Sequence, residues 1–292
     1  MRRIAVFGND SQDEYLSRLE AFFRIVRHED VSVGIESGFG SYLEENGVDT
    51  DGMEFVESFP EDSDLVVSFG GDGTFLRAAA WVGDRRTPIM GINTGHLGYL
   101  AGFSLADPGE VLDALRGRYD VSPRITLRVD SGYLPDGFSP FALNDIAIVK
   151  GDTTSMVSID AYVDGHYLAD YQADGLVVST PTGSTAYNLS CGGPILQPGI
   201  ECFVLSPIAP HSLTLRPLVI GADSELVLHV TSRGEMCHVG VDGRTFSVPA
   251  DGSTLLIRRA PFPVNVVQPT GVDFPEVLRK KLRWGEMPLR NA

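Results

Sequence analysis

Three glycines surround one carboxylate in the segment Gly70-Gly71-Asp72-Gly73, which closely follows the apolar residues 65–67. Glycine is unfavourable there in chain entropy, but it allows backbone N–H groups to turn toward a ligand and approach it closely. Where a strand gives way to a helix, such N–H groups suit an anion, and phosphate is the usual one. The alternative is an ordinary turn in which Asp72 caps the helix. That alternative accounts for Asp72 but not for three glycines, so the segment favours a binding site.

A second glycine-rich turn, residues 91–100, follows the next predicted strand. The first turn is not a P-loop, because no Gly-Lys-Ser/Thr follows it, and Leu76 replaces the third glycine of the dinucleotide fingerprint. In an open parallel sheet the ends of neighbouring strands point into one crevice, so the two turns are expected to face each other. His96 in the second turn is expected to be a local hydrogen-bonding group rather than a catalytic base.

The most unusual segment, residues 173–194, runs from a predicted buried strand into a concentration of hydroxyl groups, prolines and glycines around Tyr187. Several short donors and acceptors beside one aromatic ring suit a ribose and a flat heterocycle. A Ser/Thr-rich loop without a ligand is the alternative, and composition alone allows it. Asp174-Gly175 in the same segment reads equally well as a hairpin turn.

Two polar side chains, Asn144 and Asp145, interrupt the apolar run 141–149. If they are buried they must find partners, because an unpaired buried polar group costs about 1–3 kcal/mol. The alternative is a bulge or turn that exposes them. An amide beside a carboxylate also presents the donors and acceptors that an adenine edge or a ribose diol can use.

The elements that must position these residues follow two patterns. Residues 1–120 alternate strands with amphipathic helices, which predicts an α/β domain with a parallel, Rossmann-like sheet. A capping box at residues 11–14 is expected to begin the first helix. The predicted strands are residues 4–7, 31–35, 64–69 and 88–92, and the predicted helices are residues 15–26, 42–46, 74–82 and 108–116.

Residues 121–267 instead show short alternating runs separated by turn signals, as expected of a mainly antiparallel, sandwich-like β domain. Asp164-Gly165 and Asp242-Gly243 predict two-residue hairpin turns, because both central residues of such a turn need positive φ. Residues 268–292 return to helical spacing over 273–284. This C-terminal helix is expected to pack back on the first domain.

Composition excludes several classes of function. The chain of 292 residues carries a net charge of −16, which opposes nonspecific binding to nucleic acid or to an anionic membrane. Its apolar runs are shorter than the roughly 18 residues that span a bilayer, and the N-terminal run is too short for a signal peptide. Three cysteines without a CxxC pair are a poor disulfide framework, so a reducing cytoplasmic location is expected.

Five motifs, in chain order, resemble those of the NAD kinase (ATP-NAD kinase) family. They are Gly70-Gly71-Asp72-Gly73-Thr74, the Asn93/Gly95/Leu97/Gly98 loop, Asn144-Asp145, the Thr-Pro-Thr-Gly-Ser-Thr-Ala-Tyr string at 180–187, and Pro207/His211/Arg216-Pro217. The Gly-Gly-Asp-Gly turn also occurs in diacylglycerol and sphingosine kinases, whereas the string at 180–187 is much more specific. The resemblance implies an α/β domain and a β-sandwich-like domain, with the substrate between them.

The resemblance also implies a reaction and a role for individual positions. Asp72 matches the proton acceptor for the 2′-hydroxyl of the adenosine ribose of NAD, to which the γ-phosphoryl group of ATP would be transferred to give NADP. This acid is expected to lie within reach of a sugar held by residues 185–190. The positions implied to contact NAD are Asp72, Gly73, Arg77, Asn144, Asp145, Gln172, Asp174, Thr185, Ala186, Tyr187, Ser190 and Arg244. The loops expected to bind the phosphate donor contribute Gly70, Gly71, Gly73, Thr74, Asn93 and Gly95.

This chain departs from the family's usual pattern in one respect. Asp145 stands where the family has a longer Glu, while Arg77, Gln172 and Arg244 occupy positions at which the residue type varies. Mg²⁺ is expected to arrive with ATP, without direct protein ligands. NAD and ATP are the expected partners, no nucleic acid or membrane is expected, and a homo-oligomer, dimer or tetramer, is implied. A lipid kinase and a noncatalytic dinucleotide-binding protein are the alternatives from other classes.

Overall fold

The structure is a computed structural model that describes residues 2–10, 15–94, 98–151 and 156–285. The chain divides into two compact units, Met1–Pro123 with Val264–Ala292, and Arg124–Pro263. The predicted capping box at residues 11–14 lies outside the described residues.

The first unit is an α/β unit whose strands form one sheet. Its elements in chain order are β1 (Arg2–Gly8), α1 (Leu16–Val26), β2 (Val31–Glu36), α2 (Ser37–Glu45), β3 (Glu54–Val56), β4 (Leu65–Phe69), α3 (Asp72–Val82), β5 (Ile89–Asn93), β6 (Phe103–Ser104), α4 (Pro108–Leu115) and β7 (Asp120–Arg124), followed much later by β18 (Val264–Gln268) and α6 (Phe274–Leu282). In the described residues the sheet order is β3-β2-β1-β4-β5-β18-β7, with β6 beside β5. The pairings of β1 through β6, and of β18 with β5, are parallel.

Two predicted boundaries in this unit are corrected. The strand Val264–Gln268 was expected to end the β domain, but it pairs with β5 and so belongs to the first sheet. The second helix was expected at 42–46, but it begins at Ser37 because the Glu36 carboxylate accepts the N–H groups of Gly38 and Phe39. A charged side chain that caps a helix from the end of a strand leaves little trace in the apolar pattern.

The core of the first unit lies where helices cover the parallel sheet. The amphipathic helix predicted at 15–26 is confirmed by α1, in which Leu19, Phe22, Phe23 and Val26 are all buried. The ring of Phe22 meets that of Phe69 on β4 edge to face, with centroids 4.8 Å apart. Strand β4 is buried along its whole length, as expected for a central parallel strand.

The second unit is an antiparallel β unit with one short helix. Its elements in chain order are β8 (Leu127–Asp130), β9 (Phe141–Ala142), β10 (Asp145–Lys150), β11 (Val157–Val163), β12 (His166–Ala173), β13 (Gly175–Ser179), α5 (Tyr187–Ser190), β14 (Cys202–Ile208), β15 (Leu218–Gly221), β16 (Leu226–Val241) and β17 (Arg244–Arg259). Over the described range the sheet order is β15-β14-β13-β10-β16-β17-β8-β9, and β11 pairs with β12 and β16.

The two predicted Asp-Gly hairpin turns are confirmed. Asp164 and Gly165 have φ of 51° and 78°, and Asp242 and Gly243 have φ of 48° and 82°. The undecided pair Asp174-Gly175 is not a hairpin, because Gly175 begins β13, which pairs with β10 and β14 rather than with β12. A Cβ at Gly175 would lie 2.2 Å from the carbonyl oxygen of Ile148, so this glycine allows close packing of the two strands.

In the part of the chain that the structure describes, no helix combines the length and the apolar character needed to cross a membrane.

Candidate active site

Asp72 lies at the start of α3 and joins the two glycine-rich turns of the first unit. Its Oδ2 accepts the N–H of Tyr99 at 2.8 Å, and its Oδ1 accepts those of Leu100 at 2.9 Å and Ala101 at 3.3 Å. The Gly70 N–H also donates to Ile92 O at 3.0 Å. The expectation that the two turns meet is therefore correct. The alternative role for Asp72 as a helix cap is wrong, since Gly71 is the N-cap and α3 has no side-chain cap.

Glycine is required for different physical reasons at different positions of these turns. Gly70 has φ of 147°, and a Cβ there would lie 2.4 Å from Thr74 Oγ1. A Cβ on Gly98 would lie 2.0 Å from Asp72 Oδ1. Gly71 and Gly73 have no such requirement, because no described neighbour lies within 4 Å of the position their Cβ would take. The absence of a side chain at Gly71 and Gly73 leaves the N-terminus of α3, the positive end of a helix dipole, open to close approach by a ligand.

The other residues predicted for this half of the site vary in exposure. Thr74 and Asn93 are buried, and Gly71 and Gly73 are exposed. Gly95 and His96 lie outside the described residues. Arg77 is exposed on α3, with its guanidinium 5.7 Å from the ring centroid of Phe7.

The sequence did not predict that two lysines lie beside the second turn. Helix α6 returns to the first unit, as expected, and Lys281 Nζ lies 4.7 Å from the ring centroid of Tyr99. A cavity of about 150 Å³ opens there, and Glu110, Lys280 and Lys281 are among its lining residues. Lys280 Nζ pairs with Glu276 at 2.6 Å. The turns themselves contain no lysine, and no local signal ties residue 281 to residue 99.

In the second unit, a turn carboxylate holds the segment that contains Asn144 and Asp145. Asp242 Oδ2 accepts the N–H of Leu143 at 2.7 Å, and Oδ1 accepts those of Asn144 at 2.8 Å and Asp145 at 3.2 Å. Asn144 is partly exposed, whereas Asp145 begins β10 and is 9% exposed. These bonds satisfy the backbone N–H groups of residues 143–145 and hold the segment that carries the polar pair.

Asp145 is an unusual carboxyl group. Burial raises its pKa to about 7, the nearby Asp242 carboxyl adds to the rise, and an N–H from the Tyr187 backbone opposes it. That N–H links β10 to α5, so two segments singled out separately in the sequence lie together. Asp174 contributes negative charge near Tyr187, whose phenol pKa is raised first by burial and then by its anionic neighbours.

The hydroxyl-rich segment contains buried residues that fix its conformation through hydrogen bonds and exposed residues that are open to a ligand. Thr180 Oγ1 donates to Leu143 O at 2.5 Å, and Ser184 Oγ donates to Pro181 O at 2.7 Å. Asn188 is fully buried and donates to Ser184 O and Pro194 O, while it accepts from Ser206 Oγ at 2.7 Å. Four predicted contact residues remain at least partly exposed: Thr185, Ala186, Tyr187 and Ser190.

Three remaining predicted residues of this unit make contacts to neighbouring protein groups. Asp174 pairs with Lys150 Nζ at 2.6 Å. Gln172 is exposed and donates to Asp170 at 2.9 Å. Arg244 donates to Phe141 O at 3.2 Å and stacks its guanidinium 5.3 Å from the ring centroid of Phe138.

Among the described residues, no group of three or more His, Cys, Asp or Glu side chains could hold a metal ion.

Comparison with known proteins identifies the family. The profile of the ATP-NAD kinase N-terminal domain matches residues 4–119, and that of the C-terminal domain matches residues 143–269. An NAD kinase of Porphyromonas gingivalis is 39% identical over 98% of this chain and 99% of its own length. The chain belongs to the NAD kinase family. An NAD kinase of Bacteroides fragilis is 40% identical over 97% of the chain and 98% of its own length.

Two solved structures share the fold. Yeast NADH kinase complexed with NADH superimposes with a TM-score of 0.83 at 24% identity, covering 99% of this chain and 90% of that one. An Archaeoglobus fulgidus NAD kinase in complex with ATP gives a TM-score of 0.71 at 27% identity, covering 97% of both chains. NAD kinases transfer phosphate to NAD, and neither a lipid kinase nor a noncatalytic binding protein is favoured for this chain.

Proposed function

We propose that this NAD kinase transfers the γ-phosphoryl group of ATP to the 2′-hydroxyl of the adenosine ribose of NAD, with Asp72 as general base. The observation that supports this most directly is the fixed position of the Asp72 carboxylate. Three backbone N–H groups of residues 99–101 hold it at the N-terminus of α3, beside the two glycines that lack a packing role. A base must be held within hydrogen-bond reach of the proton it accepts.

The Asp72 carboxylate retains capacity for that proton. A carboxylate offers about four acceptor positions, and the described backbone donors occupy two on Oδ1 and one on Oδ2. The remaining position on Oδ2 accepts the ribose hydroxyl. General-base assistance of this kind contributes on the order of 10²–10⁴-fold to the rate.

The phosphate donor is proposed to bind at the same end of α3. Backbone N–H groups of Gly71 and Gly73, together with the helix dipole, suit the ATP phosphates. The Mg²⁺ that accompanies ATP supplies further neutralisation of charge on the transferring group. Lys281 of α6 places a positive charge beside Tyr99 of the second turn.

NAD is proposed to bind the second unit through the exposed residues of the hydroxyl-rich segment and the polar pair Asn144-Asp145, at the start of β10. Tyr187 is 40% exposed and offers a ring face to a flat heterocycle. Asn144, Asp145 and Asp174 offer an amide and two carboxyl groups to ribose hydroxyls. The buried Asn188 keeps this surface in one conformation.

A direct assay tests the proposal. The purified protein is incubated with NAD, ATP and Mg²⁺, and NADP is measured, with NADH and inorganic polyphosphate in parallel reactions. NADP formation that falls by at least a hundredfold in Asp72→Asn is expected. Asp107→Asn is the matched control, since Asp107 caps α4 of the same unit and Asn caps equally well. Turnover that is unchanged in Asp72→Asn removes Asp72 from the role of base.

We also propose that the enzyme is a cytoplasmic homo-oligomer. Cys191, Cys202 and Cys237 form no disulfide bond, which suits a reducing compartment. Light scattering coupled to size-exclusion chromatography tests the assembly, and a monomeric mass at micromolar concentration contradicts it.

A further inference from the structure

The two Asp-Gly hairpin turns use their aspartates differently. Asp164 Oδ1 accepts one N–H, that of Glu225, at 2.8 Å. Asp242 instead extends to a segment almost a hundred residues earlier in the chain and accepts the three successive N–H groups of residues 143–145. The hairpin geometry needs only positive φ, which both turns achieve. The additional bonds of Asp242 therefore have a purpose beyond the turn.

We propose that Asp242 is a positioning residue for NAD: its carboxylate fixes the backbone of residues 143–145 and thereby places the side chains of Asn144 and Asp145. This inference rests on the proposed function, in which that pair contacts NAD. The same segment is confined from its other side, since a Cβ on Gly183 would lie 2.1 Å from Asn144 O. Thr180 N also donates to Asn144 O at 2.9 Å.

The position of Asp242 has an electrostatic consequence for Asp145. Burial raises the pKa of both carboxyl groups, but three N–H donors and Arg244 oppose the rise at Asp242, whereas one N–H opposes it at Asp145. The proton that enters the pair is therefore held by Asp145, whose pKa is about 7. The charged or titratable groups that face Asp145 are Asp242 of the hairpin and Tyr187 and Cys191 at α5, while Arg244 acts on Asp242 and Asp174 acts on Tyr187.

Ribose hydroxyls donate hydrogen bonds, and an ionised carboxylate accepts them better than a protonated one. NAD is therefore expected to bind the form of the enzyme in which Asp145 is ionised. With a pKa of about 7, the affinity should weaken by roughly tenfold between pH 8 and pH 6.

The test measures the dissociation constant of NAD by calorimetry, without ATP, on the full-length protein from pH 6 to pH 8. Asp242→Asn keeps the turn, because Asn-Gly suits it as well as Asp-Gly does. It removes the charge and one acceptor oxygen. We expect affinity at pH 8 to fall by roughly tenfold, since a hydrogen bond to a charged group is lost. The midpoint of the pH dependence should move to lower pH.

Two further variants separate this role from a general loss of structure. Asp145→Asn should abolish the midpoint between pH 6 and pH 8. Asp164→Asn, the same substitution in the other Asp-Gly turn, should leave both affinity and midpoint unchanged. A midpoint that does not move in Asp242→Asn, or that moves equally in Asp164→Asn, overturns the proposal.

A second measurement covers the case in which Asp242→Asn does not fold. Carbon-13 NMR titration of the Asp145 carboxyl in the wild-type protein should give a value near 7, and a value near that of an ordinary aspartate overturns the proposal. Wild-type protein that binds no NAD at any pH contradicts the proposed function itself, which is a different outcome.

Discussion

Asp72 combines two tasks in one side chain. Its carboxylate links α3 to residues 99–101 through three hydrogen bonds, and it is also the proposed base. The bonds fix the orientation of the carboxylate before substrate binds, so no further entropy is lost in positioning it. A residue of this kind is sensitive to changes in its neighbours as well as to its own replacement.

Asp72→Asn separates the two tasks. The amide oxygen can keep the bonds from Leu100 and Ala101, while the amide nitrogen faces the Tyr99 N–H and cannot accept a proton. We expect kcat to fall by about 10²–10⁴-fold, with the dissociation constant of NAD changed less than tenfold. Steady-state kinetics and calorimetry measure the two effects. An equal loss in binding and turnover would instead indicate a structural role.

Gly98→Ala changes no chemical group at the site but moves the carboxylate. The new Cβ would lie 2.0 Å from Asp72 Oδ1, so the carboxylate or the turn must shift. A displacement near 1 Å can lower the rate by about 10²-fold. Gly102→Ala is the control, since its Cβ would meet Pro269 at 3.7 Å, an ordinary contact. Initial rates of both variants check this, and equal activity argues against the fixed carboxylate.

Asp145→Asn should stabilise the protein while it weakens function. The pKa of Asp145 is about 7 when folded and 3.8 ordinarily, so the folded state holds a proton that the unfolded chain releases between these values. The unfolding free energy therefore falls as pH rises through this window, by up to about 4 kcal/mol. The unfolding free energy of Asp145→Asn does not fall in this way. The variant should therefore be more stable than the wild-type protein at pH 8 but not at pH 4. Urea unfolding at both pH values measures this, with the exposed Asp136→Asn as the unaffected control.

At the scale of elements, the exposed residues of the segment 180–194 depend on the buried residues beneath them. Asn188 connects two backbone carbonyls of the segment to Ser206 on β14. A Cβ at Gly193 would lie 1.9 Å from Asn188 Oδ1, so the glycine admits the amide. Tyr187, the residue before Asn188, is exposed, and its backbone N–H reaches Asp145.

Substitutions one residue apart should therefore behave differently. Asn188→Ala leaves Ser206 Oγ and two carbonyls without this partner, so we expect a loss of at least about 2 kcal/mol in the unfolding free energy. Tyr187→Ala should leave stability within about 0.5 kcal/mol and raise the KM for NAD more than it lowers kcat. Thermal unfolding and kinetics on both variants test the contrast. An effect of Tyr187→Ala confined to ATP contradicts the assignment.

Periodicity and turn chemistry predicted the elements whose own residues determine them. The buried face of α1 and the two Asp-Gly hairpins are examples, since spacing and positive φ are local properties. Strand β3 was missed because it has three residues and exposes Glu54 and Phe55. The glycine turns and the hydroxyl-rich segment were also recognisable as site candidates. Their hydrogen-bond partners were not, because Ser and Thr suit both a buried and an exposed role, and the acceptor, here Leu143 O, lies far along the chain.

At the scale of the whole molecule, the first unit is built from both ends of the chain. Strand β18 lies between β5 and β7 in its sheet, so an interior strand comes from residues 264–268. The sequence placed this strand in the β domain, because an apolar run of five residues does not reveal its pairing partner. Residues 124–263, by contrast, are contiguous and have their own apolar core.

Truncations test this organisation. A chain that ends at residue 263 lacks β18, so the first unit should lose cooperative unfolding while the second keeps it. A chain that ends at residue 272 keeps β18 and loses α6. Both units should remain folded, with weaker ATP binding because the charge of Lys281 beside the second turn is absent. Circular dichroism melts and limited proteolysis distinguish these outcomes. Cooperative folding of residues 1–123 alone would contradict the importance of β18.

The same interior strand sets an order for biosynthesis. The amino-terminal half of the α/β sheet leaves the ribosome first, yet β5 has only the two-residue β6 on the side of β18 until residue 268 has been made and has cleared the exit tunnel. Residues 124–263 can complete their own sheet before that moment. The sheet that contains the earliest-translated residues is therefore the last to be completed. Until then its β5 edge remains open to chaperones and to unwanted partners.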